Sequence, residues 1–325
     1  MELSRRRVLL AAAGAGLGLG LAACSSGTGR KGGSAPPPQP RTAPHLAAAE
    51  QLVDALSALP WDADRNSYKS VPDDDGRLTE VSWGSDSRVL AQCASFQTLV
   101  LQHVYGAGTA YGWATDAYFR QHFFSAEGLR DRSKRYPNAA EFRAGFAAAS
   151  GAPQFTAVRG PADLRPGDLV AIDYRDPRAW YTGHIAMVRQ AKGTLVAPVD
   201  RQLGPDAVGH VIEVLDCTDA PHGDPEHGSL DLYEKYPDTR WSYGRRGGRA
   251  VDAVPHTGAG RGHMVLYSGS DGAGGGDGGF AGFRWSVNDA RAYPVSQRPI
   301  AAARVSWSIP VVSQERSPSW DRSLT

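Results

Sequence analysis

Excess charge is the first thing missing from this sequence. Its 35 Lys and Arg residues stand against 34 Asp and Glu, a formal charge of +1 over 325 residues, and that balance does not mark a nucleic-acid binder. Cysteine is scarce as well. The three residues Cys24, Cys93 and Cys217 are too dispersed for a paired-cysteine zinc site, and there is no HExxH arrangement. The glycine-rich run Asp271 to Gly279 is followed by no Lys-Ser or Lys-Thr, which excludes a phosphate cradle and leaves a loop. No internal repeat is visible. The apolar stretch Val8 to Ala23 is too short and too glycine-rich for a spanning helix. What remains is a globular chain whose chemistry rests on single side chains, with no cofactor or metal expected.

The first residues carry targeting information. Ser4-Arg5-Arg6-Arg7-Val8-Leu9-Leu10 matches a twin-arginine export signal, with Arg5 and Arg6 as its signature. Directly downstream, Leu21-Ala22-Ala23-Cys24 resembles the lipobox of bacterial lipoproteins, which implies lipidation of Cys24 and a mature chain that begins there. Residues 1–24 are therefore expected to be a signal peptide. Residues 25–45, rich in Gly, Ser and Pro, cannot bury a core and are expected to be a disordered tether. The expected location is the extracytoplasmic face of the membrane, held there by lipid on Cys24. A domain over 46–310 and a tail over 311–325 complete the organisation.

The first half of that domain reads as helical. Ala49, Leu52, Val53, Leu56 and Leu59 fall on one face of a helix that Pro60 stops. Gly112 to Phe124 predicts a second helix, and Asn138-Ala139-Ala140-Glu141 is a capping box for a third. Trp61 to Asp75 is polar and loop-like. From Pro153 the texture changes to strands separated by turns: Leu169 to Tyr174, Gly183 to Gln190, Val208 to Thr218, Gly262 to Ser268, Phe280 to Val287 and, closing the sheet, Ile300 to Trp307. Helices followed by an antiparallel sheet make an α+β domain.

One stretch organises the chemistry. Val89, Phe96, Val100 and Val104 recur at helical spacing, with Asp86 and Ser87 as cap candidates, and place Cys93 on the buried stripe near the helix start. A thiol there meets unpaired backbone N–H groups and the positive end of the helix dipole, both of which favour a thiolate. A cysteine hydrolase also needs an imidazole to move the proton and a third polar group to hold that ring. His184, between a glycine and an apolar run, and Asp216 on the following strand supply both. Strand alternation sends Asp216 and Cys217 to opposite faces. A triad through Asp216 therefore competes with a Cys93–Cys217 disulfide, the other use of these cysteines. His210 shares a face with Asp216 but lies about 20 Å along an extended strand. The loop His222-Gly223-Asp224-Pro225-Glu226-His227 is a weak metal candidate, and Tyr233 to Arg249 reads as a solvated surface loop.

Three of these features together resemble the NlpC-like family of papain-like cell-wall cysteine peptidases and amidases. They are the cysteine at a helix start followed by Phe96, the turn Leu164-Arg165-Pro166-Gly167-Asp168 into a strand, and Gly183-His184-Ile185-Ala186-Met187-Val188. The resemblance covers about Val81 to Thr218. It implies a papain-like fold, Cys93 as nucleophile, His184 as base and Asp216 as third member, at a position where the family more often has His, Asn or Gln. It departs at Gln92-Cys93-Ala94-Ser95-Phe96, where the family has an acidic residue before the cysteine, and in the stretch from about Cys217 to Gly262, which has no counterpart in the small family core. The function expected is hydrolysis of amide bonds, with peptidoglycan stem peptides as substrate, the membrane as anchor and no nucleic-acid partner. An acyltransferase on the same site, or a non-catalytic envelope scaffold, are the alternatives.

Overall fold

The computed structural model describes residues 42–69, 79–148, 151–176, 182–195, 203, 206–269 and 278–307. Arg5, Arg6, Cys24, nearly all of the expected tether and the expected C-terminal tail lie outside them. The described chain is mixed α+β. Its helices are α1 (Pro44–Ser57), α2 (Cys93–Tyr105), α3 (Asp116–His122), α4 (Ala126–Arg130), α5 (Ala139–Ala147) and α6 (Leu230–Lys235). Its strands are β1 (Asn66–Tyr68), β2 (Glu80–Ser82), β3 (Arg88–Ala91), β4 (Phe155–Val158), β5 (Leu169–Asp173), β6 (Gly183–Leu195), β7 (Val208–Thr218), β8 (Trp241–Arg246), β9 (Arg249–Pro255), β10 (Gly258–Gly269), β11 (Gly279–Arg284), β12 (Tyr293–Pro294) and β13 (Ile300–Val305).

Eight strands form one sheet in the order β12-β11-β10-β7-β6-β5-β13-β4, and every pair in it is antiparallel. Alternation divides its side chains between two cores. Ala171, Ile185, Met187, Leu215 and Cys217 pack with residues of α1, α2 and α5, while Val170, Ile172, Ala186, Val188, Ile212, Val214, Met264 and Phe283 fill the other face. Helix α2 lies on β6 and β7, and α5 lies on β5 and β13. α5 begins where its sequence says it should: the Asn138 side chain accepts from Glu141 N–H, and Glu141 accepts from Asn138 N–H, each at 2.9 Å.

Four sequence expectations need correction. The order is not helices first. Strands β1, β2 and β3 precede α2, and α6 sits among the later strands; the early strands were hidden because three-residue strands carry almost no periodicity. Val89 belongs to β3, where it pairs with Asn66, so α2 starts at Cys93 and Gln92 occupies its N-cap instead of Asp86 or Ser87. Gln92 N–H donates to Ser95 Oγ at 3.0 Å. β13 does not close the sheet at an edge but lies between β5 and β4, buried along Ile300–Ala303. Finally, 233–249 is not a solvated loop: Tyr233 and Arg240 are both buried.

Candidate active site

The site forms where one end of the sheet meets the start of α2. β3 runs directly into that helix, and the turn at Gln92 leaves Cys93 as its first residue, 5 % exposed. The amide N–H groups of a first helical turn lack helical partners; the Gln92 side chain accepts from the Ser95 N–H, and the thiol sits at the positive end of the helix dipole. His184 is the second residue of β6, and its partner across the ladder is Ile172. The approach between β5 and this strand depends on Gly183, since a Cβ there would lie 1.9 Å from Ile172 O. From α2, the Cys93 Sγ lies 4.0 Å from Gly183 O. The His184 ring, itself 5 % exposed, lies close enough to the Cys93 side chain for that group to push its titration up.

Asp216 completes the contact from β7. Leu215 pairs with Met187, and Asp216 faces the same side of the sheet as His184 because side chains alternate. Asp216 Oδ2 lies 2.7 Å from His184 Nε2, which leaves Nδ1 of that ring for the thiol. Cys217 points the other way and donates to Ala91 O at 3.1 Å. Both cysteines are free. The structure thus brings together Cys93, His184 and Asp216, and turns Cys217 to the opposite face of the sheet from Asp216, into the core that also holds Cys93.

Two residues that sequence reasoning left outside the site belong to it. His222 Nε2 also approaches Asp216 Oδ2 at 2.7 Å, and Arg240 donates from Nη1 to Asp216 Oδ1 at 2.8 Å. Asp238 holds Arg240 in turn: its Oδ1 accepts from Arg240 Nε at 2.9 Å, and its Oδ2 accepts from Nη2 at 2.7 Å and from the His222 backbone N–H at 2.8 Å. Both carboxylates, both imidazoles and the guanidinium are buried. The space for this cluster comes from β10, whose Gly260 lies opposite Asp216. A Cβ on Gly260 would come within 2.9 Å of the Arg240 side chain, and one on Gly262 within 2.4 Å of the His222 ring and 2.5 Å of Asp238. The alternation Gly258-Ala259-Gly260-Arg261-Gly262 was the available signal, since glycines at every second position of a strand mark close approach of other groups on one face. Nothing in 233–249 singles out Arg240 from the neighbouring arginines.

The electrostatics follow from this packing. Burial would raise the Asp216 carboxyl, but the Arg240 and His222 charges and the bonds from His184 and His222 hold it well below the usual carboxylate range. Burial would lower His184, yet its bonds to Asp216 and Cys93 and their charges push it up to about 10. Burial and the Cys93 charge push the Cys217 thiol well up, so it stays protonated.

His184, Asp216 and His222 are the group among the described residues with ligand-type atoms mutually within 4.8 Å. Their 2.7 Å contacts suit protons better than a metal ion: ligand atoms around tetrahedral zinc stand about 3.3 Å apart, given bonds of about 2.0 Å. The expected distance of His210 from the site holds, since its Nε2 instead meets Ser268 Oγ at 2.9 Å. Of the His222–His227 loop, His227 is exposed and pairs with Asp224 at 2.5 Å.

A cleft of about 750 Å³ opens on His184. His222 and Trp285 line it, with Tyr68 and Tyr174, and the Trp285 ring stands edge-on to His184 with centroids 5.3 Å apart. Asp219, Asp224 and Asp289 also line the cleft, and among the described residues no Lys or Arg does. The constellation has the parts for acyl transfer: a thiol, a ring that can shuttle its proton, an oriented carboxylate and helix N–H groups for a developing oxyanion. No protein-family model matches the chain, and no curated protein or solved structure is significantly similar to it.

Proposed function

We propose that this chain is a cysteine hydrolase of amide bonds with a papain-like catalytic arrangement, acting in the cell envelope on peptidoglycan stem peptides. The observation that carries the reading is the 2.7 Å contact of His184 Nε2 with Asp216 Oδ2 beside Cys93, with the cysteine at a helix start and the histidine facing an open cleft. In the reaction, the Cys93 thiolate attacks the amide carbonyl and the N–H groups of the first turn of α2 bind the oxyanion. His184 gives its proton to the leaving amine. It then takes one from water, which attacks the thioester and frees the acid and the thiol.

The substrate class rests on the export and lipobox motifs and on the family resemblance of the sequence. The cleft supports it through its acidic lining, which suits an amine-bearing peptide. The test is incubation of purified peptidoglycan with the protein and mass analysis of released fragments. New amino and carboxyl ends are expected with the wild type and none with Cys93→Ala, while the thermal melt of the variant stays close to wild type because alanine is favourable in a helix. Fragment release by the variant would overturn the reading.

A further inference from the structure

We infer that His222 is a positioning residue of the site, a second cationic imidazole that keeps Asp216 ionised and supports the Cys93–His184 ion pair. This rests on the nucleophile reading above. The geometry is a matter of donors and acceptors. His222 Nδ1 lies 2.7 Å from Trp285 O and Nε2 lies 2.7 Å from Asp216 Oδ2. A carbonyl oxygen accepts only, and so does an ionised carboxylate, so both ring nitrogens must donate.

Charge balance points the same way once the nucleophile is counted. Asp216, Asp238 and the Cys93 thiolate of the reading above are three negative charges, against which stand the Arg240 guanidinium and the His184 imidazolium. A third cation removes the surplus negative charge that would otherwise be held out of water, a costly state. His222 is 4 % exposed and sits against both carboxylates, its ring on Asp216 and its backbone N–H on Asp238. The other charged or titratable groups facing it are His184 on β6, with ring centroids 6.1 Å apart, and Arg240, together with Tyr68, Tyr174, Asp219, Asp224, His227 and Asp289, which line the same cleft.

Two effects on catalysis follow. An Asp216 oxygen that already accepts from His222 is a poorer base, so it orients His184 without taking its proton. The positive charge of His222 also adds to the potential that stabilises the thiolate. Removing that charge should therefore raise the pH at which Cys93 becomes reactive, whereas a purely structural loss would lower stability without moving that pH.

The experiment is site-resolved alkylation of Cys93 by iodoacetamide in the full chain, followed by peptide mass spectrometry across pH 4 to 9. Wild type is compared with His222→Ala and with His222→Gln, which keeps an N–H donor but not the charge. Both variants should move the acid limb of the Cys93 profile upward, slowing alkylation on that limb about threefold or more. His222→Gln serves if His222→Ala does not fold. A reactive Cys93 whose limb is unmoved in His222→Gln overturns this inference alone. A wild-type Cys93 that shows no reactivity below neutral pH overturns the nucleophile reading and the inference built on it.

Discussion

Asp216 carries more of the structure than its place in a triad would require. Its two oxygens accept from two imidazoles and a guanidinium, all buried. Asp216→Ala therefore does two things at once. It should cut turnover about a hundredfold or more, because an unoriented imidazole holds the wrong tautomer, and it should destabilise the fold by about 3–5 kcal/mol, because Arg240 loses a buried partner. Denaturant unfolding and kinetics on the same preparation separate the two losses. A variant inactive but as stable as wild type would mean that Arg240 is held by Asp238 alone. Strand alternation had already made Asp216 and Cys217 point apart, and this much of the site was legible because a period of two leaves no freedom. His222 and Arg240 were not legible, because each reaches Asp216 from an irregular segment between β7 and β8 whose path no local pattern specifies.

At the scale of elements, the long strands and the capped helices could be read from sequence and the short strands could not. β6, β7 and β10 announce themselves by apolar residues and α5 by its capping box, whereas β1, β2 and β3 are three or four residues long and gain their hydrogen bonds only from tertiary neighbours. The start of α2 shows the same limit. Val89 fits a helical period by chance, and the β3 ladder overrides it. β10 gives the most testable case, since its glycines have a steric purpose. Gly262→Ala would place a methyl group 2.4 Å from the His222 ring, displacing the ring from Asp216. The expected result is a loss of about 1–3 kcal/mol in stability, typical of overpacking, together with a fall in turnover. A fully active, fully stable Gly262→Ala protein would mean that His222 has room to move and matters little where it sits.

Across the whole molecule the same buried groups set a dependence on pH, and the proposed lipidation of Cys24 would set a dependence on place. Cys24→Ala should release the protein from the membrane fraction on cell fractionation, and retention there would point to another anchor. The pH dependence comes from groups that titrate differently folded and unfolded. His45, buried between Tyr105 Oη and Gly167 O, is lowered by burial to about 4. Its unfolded form binds a proton that the native form refuses, so stability falls as pH drops from about 6.5 toward 4. Asp216, depressed in the native state, adds its loss below about pH 4. His184 acts in the opposite sense. Its native value is pushed up to about 10, so its contribution is complete below about pH 6.5 and is lost as pH rises toward 10. Buried Tyr105 and Cys217 are raised, and they contribute to the alkaline loss only when their unfolded forms ionise, at about pH 8.5 and above. Between about pH 6.5 and 8.5 His184 contributes one downward component, at most about 1.4 kcal/mol per pH unit for one proton. Chemical denaturation at half-unit intervals should show a less downward slope above about pH 6.5 in His184→Gln than in wild type, with the His45 slope below it left in place. An unchanged slope in His184→Gln would mean that the ring is not held as a cation by Asp216 and Cys93.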